Sequence, residues 1–190
     1  MSDPGVIKDF LDEATGRMQK SVDATKTEFA TVRTGRASPH LLDRIEVDYY
    51  GATTPLRQLA QISATEARLL TITPYDKNSI KAIEKSILES DVGLTPSNDG
   101  QVIRLSIPEL TEERRKELVK IVHGIAEQGK VAVRNVRRDV MHDLRELKSE
   151  GEVGSDDEHR AESELQKLTD SHVGEIDSAL AGKEQEILEV

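Results

Sequence analysis

The chain has no cysteine and no tryptophan, and aromatic residues make up only 3% of its 190 residues. Without thiols there can be no disulfide, thiolate zinc site or cysteine nucleophile, and a reducing compartment is permitted though not required. Little aromatic mass, with 36% hydrophobic and 33% charged residues, disfavours a large globular core and favours long amphipathic helices. No apolar run approaches the roughly 18 residues needed to span a bilayer. The opening Met1-Ser-Asp-Pro-Gly lacks a cationic region followed by an apolar run, so no signal peptide and no membrane partner are expected. The expected location is cytoplasmic.

Catalytic and cofactor motifs are missing as well. His40, His123, His142, His159 and His172 have no His-x-x-x-His spacing and read as solvent-facing, so no metal site is expected. Asp170-Ser171-His172 contains triad residue types, but neighbours on a helix point in different directions and no strained nucleophile turn flanks the serine. Neither a Gly-x-x-x-x-Gly-Lys-Ser/Thr loop nor a Gly-x-Gly-x-x-Gly follows a strand. The chain is expected to need no cofactor and to be no enzyme; any energy-consuming step it serves would be powered by another protein.

Three long stretches carry helical periodicity. Asp3-Pro4 reads as an N-cap and first helical position, and Leu11, Ala14, Met18, Val22, Thr25, Phe29 and Val32 follow at spacings of three and four. A second seam runs through Leu118, Val122, Ile125, Val133, Val136, Val140, Leu144 and Leu147 until Gly151. Ser155 to Glu158 has the spacing of a capping box and opens a third, with Leu165, Leu168, Ile176, Ala179, Leu180 and Ile187 on one side. Single apolar stripes can be buried only against one another, which predicts a three-helix bundle.

Between the first two seams the period changes. Ile45, Val47 and Tyr49 alternate with polar residues in a strand pattern. Leu59–Ile62, Arg68–Thr73 and Val102–Ile107 are further strand candidates, and Asn78/Ser79 can cap a helix whose apolar positions are Ile80, Ile83, Ile87 and Leu88. The predicted fold class is α+β: a long bundle from residues 1–34 and 107–190, with a small β/α/β domain, 35–106, inserted. Two strands of chain would join them at a hinge, comprising Arg33, Thr34, Gly35 and Arg36 on one side and Ser106, Ile107 and Pro108 on the other.

Charge is segregated. The net value is −10, yet residues 114–148 hold 10 Lys/Arg against 5 Asp/Glu, while residues 151–190 hold 3 against 12. At about 100° per residue, Lys116, Lys120, Lys130, Arg134, Arg137, Arg138, Arg145 and Lys148 share one arc, interrupted only by Glu127. Charged helix faces are usually just solvated. Here the other acids of the helix lie on the opposite flank, and the run from Lys130 to Arg138 contains four cations and no acid. Three are arginines, suited to bidentate phosphate contact. The helix has no aromatic residue for base stacking, so shape and phosphate recognition of folded RNA fits better than reading of a single strand. The site expected to touch RNA is Lys116, Lys120, Lys130, Arg134, Arg137 and Arg138.

Four stretches together resemble the bacterial ribosome recycling factor family: Thr-Val-Arg33-Thr-Gly35-Arg36-Ala-Ser-Pro39; Asp-Tyr-Tyr50-Gly51 with Thr-Pro55-Leu-Arg-Gln-Leu-Ala60; Leu-Thr111-Glu-Glu-Arg-Arg115-Lys; and Val-Ala-Val-Arg134-Asn-Val-Arg137-Arg138. Their order covers essentially the whole chain. The resemblance implies an L-shaped, tRNA-sized monomer that binds the large ribosomal subunit and its rRNA on the post-termination ribosome. It also implies elongation factor G as the partner whose GTP hydrolysis drives subunit separation. By the family pattern Arg137 is the foremost rRNA contact, and the inserted domain faces the elongation factor. Gly129 and His123 depart from the pattern: the glycine suggests local bending at a cost of about 1 kcal/mol, the histidine a pH-dependent charge. A structural adaptor docking proteins through surface charge is the competing reading, and an enzyme with a site hidden in the inserted domain is a third.

Overall fold

The computed structural model describes residues 4–189, so the Asp3 cap lies outside the described residues. The chain divides into two compact units. One joins the segment ending at Val32 to Glu113–Leu188; the other is Arg33–Glu112.

The helical unit contains α1 (Pro4–Thr31), α4 (Glu112–Ser149) and α5 (Ser155–Leu188). At 1.5 Å per residue α4 is about 57 Å long, and only lateral packing stabilises helices of this length. The apolar seams do meet: Ala14, Met18 and Val22 of α1, Leu118, Val122, Val133 and Leu144 of α4, and Leu165, Ile176 and Ile187 of α5 are all buried. Polar residues enter the same core. Thr25, Thr169 and His172 are buried, and each bonds a carbonyl one turn back in its own helix: Ser21, Leu165 and Leu168 respectively. His172 thus corrects the solvent-facing reading. With Nδ1 2.7 Å from the Leu168 carbonyl it donates there and leaves no buried donor unmet at that nitrogen.

Gly129 is also buried. A Cβ placed on it would lie 2.2 Å from Thr25 Oγ1 and 3.1 Å from Thr25 Cβ. The glycine therefore marks a close approach of α1 to α4 rather than a bend. Gly151, at φ +80°, ends α4: its amide bonds the Lys148 carbonyl and that of Glu152 bonds Leu147, the paired closure of a Schellman motif. The capping box expected at Ser155 does not form in that register. Ser155 is already helical, the Glu158 amide bonds the Gly154 carbonyl, and the Glu158 carboxylate turns to Lys148.

The second unit holds a two-stranded ribbon, β1 (Glu46–Tyr49) with β2 (Ala52–Pro55), and a four-stranded antiparallel sheet. After the single turn α2 (Leu56–Leu59) come β3 (Ala60–Glu66) and β4 (Leu69–Pro74), then α3 (Ile80–Glu89), β5 (Pro96–Asn98) and β6 (Ile103–Ser106), with strand order β3-β4-β6-β5. Its core is almost wholly aliphatic: Leu42, Val47, Leu56, Leu70, Ile72, Ile83, Ile87, Ile103 and Leu105 are buried together. Three local expectations are corrected. Leu88 is exposed, since one face of a 10-residue helix is filled by Ile80, Ile83 and Ile87. Ser79 is the N-cap residue of α3 but makes no side-chain cap bond; the capping bond belongs to the 3-10 turn just before it, where the Asp76 carboxylate accepts the Asn78 amide at 2.9 Å. Leu59 closes a helical turn instead of opening a strand.

Candidate nucleic-acid interface

The cationic arc of α4 splits into two edges, because α5 runs beside one of them. On that inner edge Lys130 Nζ sits 2.5 Å from Asp177 and 3.2 Å from Glu127, and Lys148 contacts Glu158. The bond to Asp177, ahead of that to Glu127, raises the lysine's pKa above its ordinary value despite partial burial. Lys130 is therefore committed within the bundle. His123 is likewise held by Glu184 of α5.

Arg137 lies on the same inner edge, half-buried, yet makes no ion pair among the described residues. Its Nε is buried without a hydrogen-bond acceptor. Buried donors are rarely left so in native proteins, and where they are, a function is a common reason. On the outer edge Lys116, Lys120, Arg134, Arg138 and Arg145 are exposed. Arg134, Arg137, Arg138 and Arg145 line one open groove of about 690 Å³, with Glu162 of α5 at its far wall. Asp139 and Asp143 also line it, and Asp139 is partly neutralised by Arg17 of α1, which holds it at 2.6 Å. Four guanidiniums thus share a concave strip that offers forked donors to phosphate oxygens. Of the six residues expected to touch RNA, Arg134, Arg137 and Arg138 come together here. Lys116 and Lys120 stand about five and four turns further up the helix, and Lys130 is engaged elsewhere. Arg145 completes the groove and was identifiable from its place in the arc.

The residues expected at the hinge are placed as follows. Arg33 and Arg36 are exposed and Thr34 is buried. Gly35 has φ +76°, and a Cβ there would meet Leu110 Cγ at 3.0 Å, so the two crossing peptides pack together at a point where only glycine fits. Ser106 pairs with Leu69 in the sheet, and the Ile107 amide bonds the Arg68 carbonyl at 2.8 Å, whereas Pro108 is exposed.

Known proteins resolve what these surfaces belong to. The profile of the family described as Ribosome recycling factor matches residues 25–188. The chain belongs to the ribosome recycling factor family. It is 59% identical over 180 residues to the family member of Rubrobacter xylanophilus, covering 95% of this chain and 97% of that one. The Bacillus subtilis member is 54% identical over 183 residues, covering 96% and 99%. Two solved structures are similar. A solution structure of a ribosome recycling factor superposes with a TM-score of 0.72 at 43% identity, covering 97% of this chain and 98% of that one. The T. thermophilus ribosome recycling factor, placed with the E. coli elongation factor G on the E. coli post-termination complex, gives 0.62 at 45% identity, covering 99% and 100%. Family membership accounts for the combination of long helices and a small sheet unit. Among the described residues no cluster of His, Asp or Glu is arranged to hold a metal, and no helix is long and apolar enough to cross a membrane.

Proposed function

We propose that this chain binds the post-termination ribosome through the arginine groove of α4 and, with elongation factor G and GTP, promotes its dissociation into subunits. The observation that carries the reading is the unmatched Arg137. Of three inner-edge cations it alone lacks a carboxylate from α5, and it lines the open groove, where its guanidinium can meet a phosphate oxygen of large-subunit rRNA. Arg134 and Arg138 flank it and hold the backbone in register. The protein acts by binding and movement, in the cytoplasm where ribosomes are, as a monomer, with elongation factor G supplying the hydrolysis. Arg33–Arg36 and Ser106–Pro108 serve as the hinge; Ser106 and Ile107 are fixed to the sheet, so bending concentrates at Pro108 and the residues after it.

A subunit-splitting assay with elongation factor G and GTP tests this directly. Arg137→Ala should lower large-subunit affinity about tenfold to a hundredfold, the value of one good charged contact, and slow splitting in parallel while the helical content stays unchanged. Splitting at the wild-type rate by the folded variant would remove the groove from the mechanism.

A further inference from the structure

Of the chain's three tyrosines, Tyr49 and Tyr50 both reach the Asp76 carboxylate, and Tyr75 precedes Asp76 in the chain. Two have rings in water: Tyr50 is 78% and Tyr75 72% exposed. In a protein with 3 Tyr, 2 Phe and no Trp, this spends most of the aromatic surface outside the core.

Tyr50 is an odd choice for its position. Tyr49 faces Ala52 in the ribbon, so Tyr50-Gly51 is a two-residue loop, with φ 50° and 83°. Such a loop favours Asn-Gly, because both residues must adopt left-handed backbone. A bulky side chain there is strained, and burial does not compensate, since the ring is exposed. The ring is nevertheless fixed. Its hydroxyl donates to Asp76 Oδ2 at 3.3 Å, the Tyr49 hydroxyl donates to the same oxygen at 3.1 Å, and the two rings meet edge to face at 4.6 Å. Asp76 is anchored in turn by the Asn78 amide, the main cause of its lowered pKa, so it stays ionised. Holding the ribbon needs only the half-buried Tyr49; nothing structural needs Tyr50's exposed ring. Nor does it need Tyr75, whose hydroxyl has no partner among the described residues.

We propose that Tyr50, set beside the Asp76 carboxylate and braced by Tyr49, forms a preformed docking patch for an arginine or lysine side chain of a partner protein. Aromatic faces attract cations, and more strongly beside a carboxylate. Glu46 and Asp48 are exposed on the same ribbon and add negative charge. That charge complements a basic protein surface and opposes a nucleic-acid backbone. Preorganised aromatic side chains are effective anchors, because little side-chain freedom remains to be lost on binding. The patch and the arginine groove then have opposite chemistry, one for cations and the other for phosphate.

Because the protein has no Trp, its intrinsic emission reports only these three tyrosines. The full chain is titrated with an arginine-bearing hexapeptide, with the same peptide carrying serine for arginine, and with oligoadenylate. The arginine peptide should change the emission saturably and the serine peptide should not. Tyr50→Asn, which fits the left-handed turn, should keep or raise Tm and weaken the peptide at least fivefold. Equal responses to the two peptides, or no effect of Tyr50→Asn on affinity, would overturn the proposal. A larger response to oligoadenylate would overturn it in favour of base stacking. Neither result bears on Arg137.

Discussion

Both units have an apolar core, but their ion pairs are distributed differently. In the helical unit, charged pairs tie one helix to another: Arg17 to Asp139, Lys26 to Glu175, Lys130 to Asp177 and Lys148 to Glu158. In the sheet unit the pairs bridge short stretches at the surface, such as Arg57 to Asp43 and Arg104 to Asp99, while an aliphatic cluster does the holding. Where cations are systematically matched across helices, an unmatched cation carries information, and this is why Arg137 stands out. In the sheet unit the corresponding anomaly is an exposed ring.

The comparison breaks most visibly at a buried leucine. Leu105 is fully buried at the centre of the sheet between β4 and β5, and Leu105→Ala should cost about 2–5 kcal/mol. Hydrogen exchange should then show residues 33–112 losing protection while α4 and α5 keep theirs. Equal loss in both units would mean that they unfold as one.

Next comes the tight crossing of the helical unit. Gly129→Ala gains up to about 1 kcal/mol of helix propensity but drives a methyl into Thr25, where overpacking costs about 1–3 kcal/mol. A net loss of roughly 1–2 kcal/mol is expected, and it should largely vanish in a Thr25→Ala background, which removes the hydroxyl and methyl that the new Cβ would meet. A double-mutant cycle by urea denaturation measures this; additivity would sink the close-approach account.

That glycine also shows what the sequence could and could not convey. Seams of Leu, Val and Ile at spacings of three and four gave the helices, since the period is a property of each helix alone. Which residue faces which across a crossing is not, so Gly129 read as a flaw. Lys130 is a similar case: projection placed it in the cationic arc but could not say that Asp177 overhangs that edge. In the other unit, β1, β4 and β6 alternate visibly, whereas β5 is Pro-Ser-Asn, which forms a strand only because β6 offers it an edge. The arginines of the groove were legible because they belong to one helix.

The split of the cationic arc can be sharpened by exchanging its edges. Arg138→Ala should leave stability within about 0.5 kcal/mol, weaken large-subunit binding and lower the salt slope of log affinity by about 1. Lys130→Met should instead cost about 0.5–1 kcal/mol of stability, the range for a partly exposed pair, with the salt slope unchanged. Sedimentation with large subunits at several salt concentrations, beside thermal melts, separates the two. If Lys130→Met changes the slope as much as Arg138→Ala, the lysine leaves Asp177 to meet RNA.

The smallest effects should appear as opposite pH edges in the two units. Asp99 accepts amides of Val102 and Gln101 and a guanidinium N–H of Arg104, and these bonds, Val102's foremost, lower its pKa to about 2. A carboxylate lowered in the folded state contributes stability that is fully present above its unfolded value, about 3.9, and is lost as pH falls through about 2. Lys130 runs the other way: its pKa is raised, so its contribution is whole below the unfolded lysine value of about 10.4 and fades as pH climbs through the raised value. Amide shifts of Gln101 and Val102 should therefore titrate near pH 2, and Asp99→Ala should abolish that step without touching the alkaline one. A midpoint near the ordinary aspartate value would show that the turn is not held by this carboxylate, and that Asp99 supplies no acid edge to set against the helical unit's alkaline one.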